Sequence, residues 1–149
     1  MIKVICVGKI KDSNLKSLID DYYKRIIKYT SIQIIELKDE NENYDEMKKE
    51  SKEIENYLDS KSYNIALDRL GKNIDSINFS KLIDKTFISY PNINFIIGGS
   101  LGIDKSILDK CNIVLSFSSL TFPHQLFRLM LLEQIYRSFK ILNNERYHK

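Results

Sequence analysis

Five short runs of apolar residues, separated by longer amphipathic stretches, constrain the fold more than any other feature. They are IKVICVG (2–8), SIQIIEL (31–37), YNIALD (63–68), NINFIIGG (92–99) and NIVLSF (112–117). Their apolar residues are continuous rather than alternating, which is typical of strands buried on both faces of a parallel sheet. The amphipathic stretches predict helices that cover this sheet. We therefore predict a single α/β domain over residues 1–149, with a mostly parallel sheet covered by helices on both faces.

The stretches between the strands predict five helices. The first spans residues 13–29 after a serine cap, and the second begins near residue 44 after a polar loop. The third spans residues 76–90 and stops before Pro91, and a short fourth spans residues 104–110. The LGK at residues 70–72 is predicted to be the turn that ends the third strand. The last helix follows Pro123, which fits its first position.

Composition and charge narrow the class of protein. The content of 43% hydrophobic and 29% charged residues is ordinary for a soluble globular chain. The apolar runs are too short for a signal-peptide core or a membrane span, so we expect a cytoplasmic protein without a membrane partner. Two cysteines and two histidines without metal-ligand spacing predict no metal site and no disulfide. The net charge of +3 is concentrated at the two ends, which fits either a phosphate-bearing partner or a solvated terminus.

The loops that follow the last three strands are the richest in chemistry. Ligands of open α/β sheets bind at the carboxyl ends of the strands. GKIKDS, the loop after the first strand, has no GxGxxG pattern, which disfavours an ordinary dinucleotide fold. LDRLGK, GGSLG and SSLTFPHQ follow strands three to five. Gly98 and Gly99 permit either a close ligand approach or a tight turn. The hydroxyl and backbone groups of residues 118–121 suit a neutral heterocycle such as adenine.

The last helix is apolar almost all round between Leu126 and Leu132, so it needs two packing partners, the sheet and a second subunit. Arg128 lies inside this run and is either a paired arginine or a charge held near the site. Glu133 and Arg137 have the spacing of a helix ion pair. For His124, in the first turn, we expect a structural hydrogen bond rather than catalysis. These patterns predict a ligand site and a dimer but no reaction.

The same segments carry a resemblance to a known family. LDRLGK, FIIGGSLG, LSFSSLTFPHQLFRLMLLEQIYRSFKI and a final YHK together resemble the RlmH family of small SPOUT-class methyltransferases. The resemblance covers essentially the whole chain. It implies a C-terminal trefoil knot, S-adenosyl-L-methionine as cofactor and a homodimer. It also implies a substrate, N3 of pseudouridine 1915 in 23S rRNA within assembled ribosomes.

The resemblance also implies roles for individual residues. Tyr147 and His148 are candidates for positioning the target base or removing its proton. Arg128 or Arg137 would contact phosphate. The family usually has proline before this tyrosine, where this chain has Arg146. By motif match the cofactor would be bound by Leu67, Gly99, Ser118, Ser119, Leu120, Thr121, Phe122 and Pro123.

Three alternatives stay open on sequence alone. Another SPOUT RNA methyltransferase, such as one acting on transfer-RNA ribose, would modify a different position. A non-enzymatic ribosome- or RNA-binding dimer would keep the fold without binding cofactor. A flavodoxin- or receiver-like module is disfavoured, because a receiver needs acidic residues after its first strand and VICVGKIK supplies none.

Overall fold

A computed structural model of the chain, which describes residues 1–39 and 44–149, contains one five-stranded sheet. All four strand pairs are parallel, in the order β2-β1-β4-β3-β5. The predicted parallel sheet is therefore confirmed. Its strands are β1 (Ile2–Val7), β2 (Ile32–Leu37), β3 (Ser62–Asn73), β4 (Asn92–Ile97) and β5 (Ile113–Ser116).

Helices cover both faces of the sheet, as the continuous apolar strands predicted. Along β1, Val4 and Cys6 belong to one apolar core, whereas Ile5 and Val7 belong to a second. The first core lies under α1, α3 and α5, and the second lies under α2 and α4. No helix within the described residues is both long and apolar enough to cross a membrane. The helices are α1 (Ser13–Ile26), α2 (Tyr44–Glu55), α3 (Ser76–Ser89), α4 (Lys105–Leu108) and α5 (His124–Leu142).

Two helix starts differ from the prediction. The side chain of Asp12, rather than a serine, caps α1, because its Oδ1 accepts a hydrogen bond from the backbone N of Leu15 at 2.8 Å. Pro123 is the N-cap of α5 rather than its first helical residue, and His124 begins the helix. The predicted polar loop before α2 lies partly in residues 40–43, outside the described residues.

The predicted turn at residues 70–72 is wrong, because β3 continues through it to Asn73. The pairing of β3 with β5 shifts register between Leu67 and Lys72. Within this bulge, Asp68 Oδ1 accepts a hydrogen bond from the backbone N of Leu70 at 2.9 Å. Gly71 then passes so close to β5 that a Cβ atom would lie 2.7 Å from a backbone carbon of Leu115. The glycine therefore permits close strand contact rather than ending the strand.

Helix α5 has more apolar surface than its own chain covers. Its inner side, with Leu131, Leu132 and Ile135, is completely buried against the sheet, α1 and α3. Leu129 and Met130, on another side of α5, border an open groove of about 660 Å³ between α1, α3 and α5, which we call the helix groove. The groove is lined mainly by apolar side chains, among them Leu18, Tyr22, Phe79, Phe117, Leu129 and Met130.

Candidate functional site

The carboxyl ends of β3, β4 and β5, together with the start of α5, enclose a cavity of about 700 Å³. We call it the carboxyl-edge cavity. It lies where ligands bind in open α/β sheets. Of the predicted cofactor residues, Ser119 alone is absent from its lining. The other seven line it together: Leu67, Gly99, Ser118, Leu120, Thr121, Phe122 and Pro123.

The loop after β4 forms one wall and folds back tightly on itself. The backbone N of Gly102 donates to the carbonyl oxygen of Gly99 at 3.0 Å, and Gly102 has a φ of +82°. A Cβ atom on Gly98 would lie 2.3 Å from the carbonyl oxygen of Gly102. Only glycine permits this approach of backbone to backbone. The shape of this wall therefore depends on glycine at residue 98.

The loop after β5 and the first turn of α5 form the opposite wall. Ser118 shapes the loop, because its carbonyl oxygen accepts from Ser116 Oγ at 2.9 Å and its Oγ accepts from the backbone N of Leu120 at 3.0 Å. The rings of Phe122 and Phe127 are stacked with their centroids 6.5 Å apart. The cavity therefore combines aromatic and aliphatic surface with uncharged polar groups, an environment that suits a neutral planar group.

Few side chains in the lining of the carboxyl-edge cavity can carry a charge. Asp68 and the exposed Arg69 lie in its lining, on β3. His124 borders it from α5, and its Nε2 is buried without a hydrogen-bond partner among residues 1–39 and 44–149. The structural hydrogen bond that we expected for His124 is therefore not made by Nε2. The described residues contain no group of three or more histidine, cysteine, aspartate or glutamate side chains placed to hold a metal ion.

Arg128 is buried, with 1% of its surface exposed. Its Nη1 donates to Glu36 Oε2 at 2.7 Å, and its Nη2 donates to the carbonyl oxygen of Gly8 at 2.8 Å. The guanidinium thus lies beneath the loop that follows β1 and outside the cavity lining. A phosphate contact by Arg128, as predicted, would require this ion pair to break. The sequence pattern gave no sign of the pair, because its two residues are 92 positions apart.

Tyr147 and His148 pack against the second half of α5. Tyr147 donates to Glu133 Oε1 at 3.0 Å, and its hydroxyl lies 3.4 Å from that of Tyr22. Burial, followed by the hydrogen bonds with Tyr22 and Glu133, raises the pKa of Tyr147 above its ordinary value. Arg137 lies over the Tyr147 ring, 4.8 Å from its centroid, and its Nη1 is 3.2 Å from His148 Nδ1. These contacts fix the tail, which we define as residues 143–149.

The predicted ion pair between Glu133 and Arg137 is confirmed, with Nη2 and Oε1 2.5 Å apart. The pair also holds Tyr147 and His148, a role that its helix spacing did not reveal. The tail is nevertheless far from the carboxyl-edge cavity in the same chain, because α5 rises about 20 Å from His124 to Arg137. The structure therefore brings seven of the eight predicted cofactor residues together but leaves Tyr147 and His148 apart from them.

Comparison with known proteins assigns this chain to a family. The family model described as "Predicted SPOUT methyltransferase" matches residues 1–148. The ribosomal RNA large subunit methyltransferase H of Malacoplasma penetrans is 51% identical, and the alignment covers 99% of each chain. The chain therefore belongs to the SPOUT methyltransferases and, within them, to the ribosomal RNA large subunit methyltransferase H (RlmH) family.

Solved structures show the same fold at low sequence identity. A probable methylase family protein from Haemophilus influenzae superimposes with a TM-score of 0.61 at 13% identity, covering 99% of this chain and 70% of that one. The SpoU methyltransferase AviRb from Streptomyces viridochromogenes, solved in complex with AdoMet, has a TM-score of 0.50 at 12% identity. That match covers 92% of this chain and 57% of AviRb.

Proposed function

We propose that this protein transfers a methyl group from S-adenosyl-L-methionine to N3 of pseudouridine 1915 in 23S rRNA, on assembled ribosomes in the cytoplasm. Membership of the RlmH family supports the reaction class and the large ribosomal subunit as its target. The observation that carries the proposal is the carboxyl-edge cavity, because seven of the eight residues matched on sequence motifs alone line one cavity of suitable size and chemistry. In this proposal, residues 1–149 act as a single domain.

The lining of the cavity fits the proposed cofactor. Leu67 and Phe122 offer apolar surface for an adenine ring, and the backbone of the loop after β5 offers polar groups for its edge. S-adenosyl-L-methionine would supply a methyl group that is already activated on a sulfonium. The protein then has to align that group with the acceptor rather than generate a reactive species. AviRb, with the same fold, was solved with this cofactor. We also propose the trefoil knot that the family resemblance implies.

A homodimer would account for the helix groove. Apolar side chains are left open in this groove, such as Leu18 of α1, which is 50% exposed, and Leu129 of α5. Phe117 lines both the groove and the carboxyl-edge cavity, so the two surfaces adjoin. A second copy that packs on the groove would thus lie beside the cavity. In the proposed active site, one subunit supplies the cofactor cavity and the other supplies Tyr147 and His148.

The contacts of the tail suggest how it would act. A guanidinium only donates hydrogen bonds, so His148 Nδ1 accepts from Arg137 and its ring proton lies on Nε2. In this arrangement Nδ1 cannot take a proton from the substrate. Movement of the tail away from Arg137 would free Nδ1 to accept the N3 proton, while Tyr147 positions the base. Arg137, once released from His148, would contact phosphate.

The test is transfer of labelled methyl from S-adenosyl-L-methionine to ribosomes that lack the modification, with the product mapped by mass spectrometry. We expect label on N3 of pseudouridine 1915. Label elsewhere would identify another RNA methyltransferase. Absence of label together with absence of cofactor binding would favour a non-enzymatic RNA-binding dimer.

The same assay tests the role of the tail. His148→Ala is expected to lower kcat at saturating cofactor while the cofactor Kd stays the same. Lys149→Ala, at the exposed neighbouring residue, is the matched control. Full methylation by the His148 variant would exclude it as the proton acceptor.

A further inference from the structure

The loop between β1 and α1, residues 8–12, lies at the edge of the sheet that carries the carboxyl-edge cavity. Strand β1 pairs with β4, and the loop that follows β4 lines the cavity. A Cβ atom on Gly8 would lie 3.5 Å from Nε2 of His124, which itself borders the cavity. The β1–α1 loop therefore stands directly behind one wall of the proposed cofactor site.

Contacts with β2 and α5 fix the backbone of this loop at three positions. The carbonyl oxygen of Gly8 accepts from the buried Arg128 at 2.8 Å. The backbone N of Ile10 donates to Glu36 Oε2 at 3.2 Å, and this oxygen also accepts from Arg128. The backbone N of Lys11 lies 3.5 Å from Gln125 Oε1. Since Asp12 caps α1, the loop is held at both ends and along its length.

The contacts of Arg128 with this loop require a buried charge, and a contribution to stability alone does not explain that cost. Burial of a charged guanidinium is expensive, and its ion pair with Glu36, whose side chain is 35% exposed, adds little net stability over apolar packing. The Nε of Arg128 is also buried without a partner among the described residues. A role in holding the loop in one position accounts for the burial of this charge.

The braced loop presents two cations to solvent. The side chains of Lys9 and Lys11 are exposed, and neither forms an ion pair with any residue in 1–39 or 44–149. Arg69, exposed in the cavity lining, is a third cation at this edge. Lysine ammonium groups bind RNA through phosphate, which positions the nucleic acid without reading its sequence.

We propose that the β1–α1 loop is a fixed contact for the phosphate backbone of the substrate RNA, beside the nucleotide that is methylated. Lys9 and Lys11 make the contact, and Arg128 and Glu36 are positioning residues that hold the loop in place. This inference rests on the proposed function, because it assumes that the substrate is RNA and that the reaction takes place at the carboxyl-edge cavity.

The first test compares two double variants. Lys9→Ala/Lys11→Ala removes the proposed contacts. Lys61→Ala/Lys85→Ala removes the same charge at exposed positions just before β3 and late in α3, towards the opposite edge of the sheet. Initial rates of methyl transfer are measured against ribosome concentration at several salt concentrations. The cofactor Kd is measured in parallel.

We expect the Lys9/Lys11 variant to raise KM for ribosomes while leaving kcat and the cofactor Kd unchanged. Loss of two phosphate contacts should also weaken the salt dependence of ribosome affinity. The fall in affinity between 50 and 200 mM salt should be roughly tenfold smaller than in the unmodified protein. The control variant should behave like the unmodified protein. An unchanged KM and salt dependence, or an equal loss in the control, would overturn the proposal.

The second test concerns the positioning pair. Glu36→Gln keeps the size of the side chain but removes the charge that holds Arg128. We expect a higher KM for ribosomes with an unchanged salt slope, because both lysines are still present. A lower melting temperature without a change in KM would mean that Glu36 only stabilises the fold, and it would overturn its assignment as a positioning residue.

If the unmodified protein transfers no methyl group, the proposed function fails independently of this inference. Co-sedimentation with ribosomes then decides whether the loop binds RNA. Weaker sedimentation of the Lys9/Lys11 variant alone would support the loop as an RNA contact, and equal sedimentation of both double variants would refute it.

Discussion

Replacement of Gly98 by alanine should disrupt the carboxyl-edge cavity more than replacement of its neighbour Gly99. The added Cβ at residue 98 would lie 2.3 Å from the carbonyl oxygen of Gly102 and 2.5 Å from its carbon. These are backbone atoms that cannot rotate away, so residues 98–102 would have to move apart. At residue 99 the nearest atom is Val7 Cγ1 at 3.1 Å, a side-chain methyl that can yield by a few tenths of an ångström.

The magnitude follows from the cost of overpacking. Insertion of one extra carbon into a tightly packed site typically costs about 1–3 kcal/mol. Since about 1.4 kcal/mol corresponds to a tenfold change in affinity, Gly98→Ala should raise the cofactor Kd by about 5- to 150-fold if the strain falls on the cavity wall. Gly99→Ala should cost less than about 1 kcal/mol, which is less than about fivefold in Kd.

The assay is calorimetric titration of each variant with S-adenosyl-L-methionine, together with thermal unfolding in the absence of ligand. Unfolding distinguishes strain confined to the loop from general loss of the fold. Unchanged cofactor affinity in Gly98→Ala, or a larger loss of cofactor affinity in Gly99→Ala, would show that the wall formed by residues 98–102 does not depend on glycine at residue 98.

Three further predictions concern the tail and a thiol. Tyr147→Phe removes the hydrogen bond to Glu133, so the free energy of unfolding should fall by about 0.5–1.5 kcal/mol, and limited proteolysis should cut the tail faster. The hydrogen bond from Lys140 holds the pKa of Glu145 below its ordinary value, so this contact is complete above that ordinary value. It should be lost as pH falls through the lowered pKa, which NMR titration of the tail would show, and Glu145→Gln should abolish that pH dependence. Burial raises the pKa of the Cys111 thiol to about 11, so its alkylation at pH 8 should be roughly a hundredfold slower than that of free cysteine, and an equal rate would contradict its burial.

Local patterns in the sequence were sufficient to predict the elements of the fold. All ten elements were predicted, and all except β3 close to their observed bounds, because each element buries a continuous or periodic apolar set. The error at residues 70–72 has a specific cause. Leu-Gly-Lys is typical of a turn, but here the glycine permits a bulge against β5, and that strand lies more than forty residues further along the chain.

The candidate site could be predicted where it depends on local motifs but not where it depends on distant pairs. The loops after β4 and β5 were identified because glycine and hydroxyl residues are unusual directly after buried strands. The LDRLGK segment was also identified, although it belongs to β3 itself. The ion pair of Arg128 with Glu36 joins α5 to β2, and no local pattern indicates which acid would meet a buried arginine. The docking of Tyr147 on Glu133 was missed for the same reason, although the helix pair itself was predicted.

A crystal structure of this protein with S-adenosyl-L-methionine is the decisive test, because the described residues form the helix groove as well as the carboxyl-edge cavity, and the two are similar in volume. We predict that the cofactor binds in the carboxyl-edge cavity, between the loop of residues 98–102 and Phe122. Cofactor bound in the helix groove between α1, α3 and α5 would contradict it, and the cofactor residues assigned here would then be wrong.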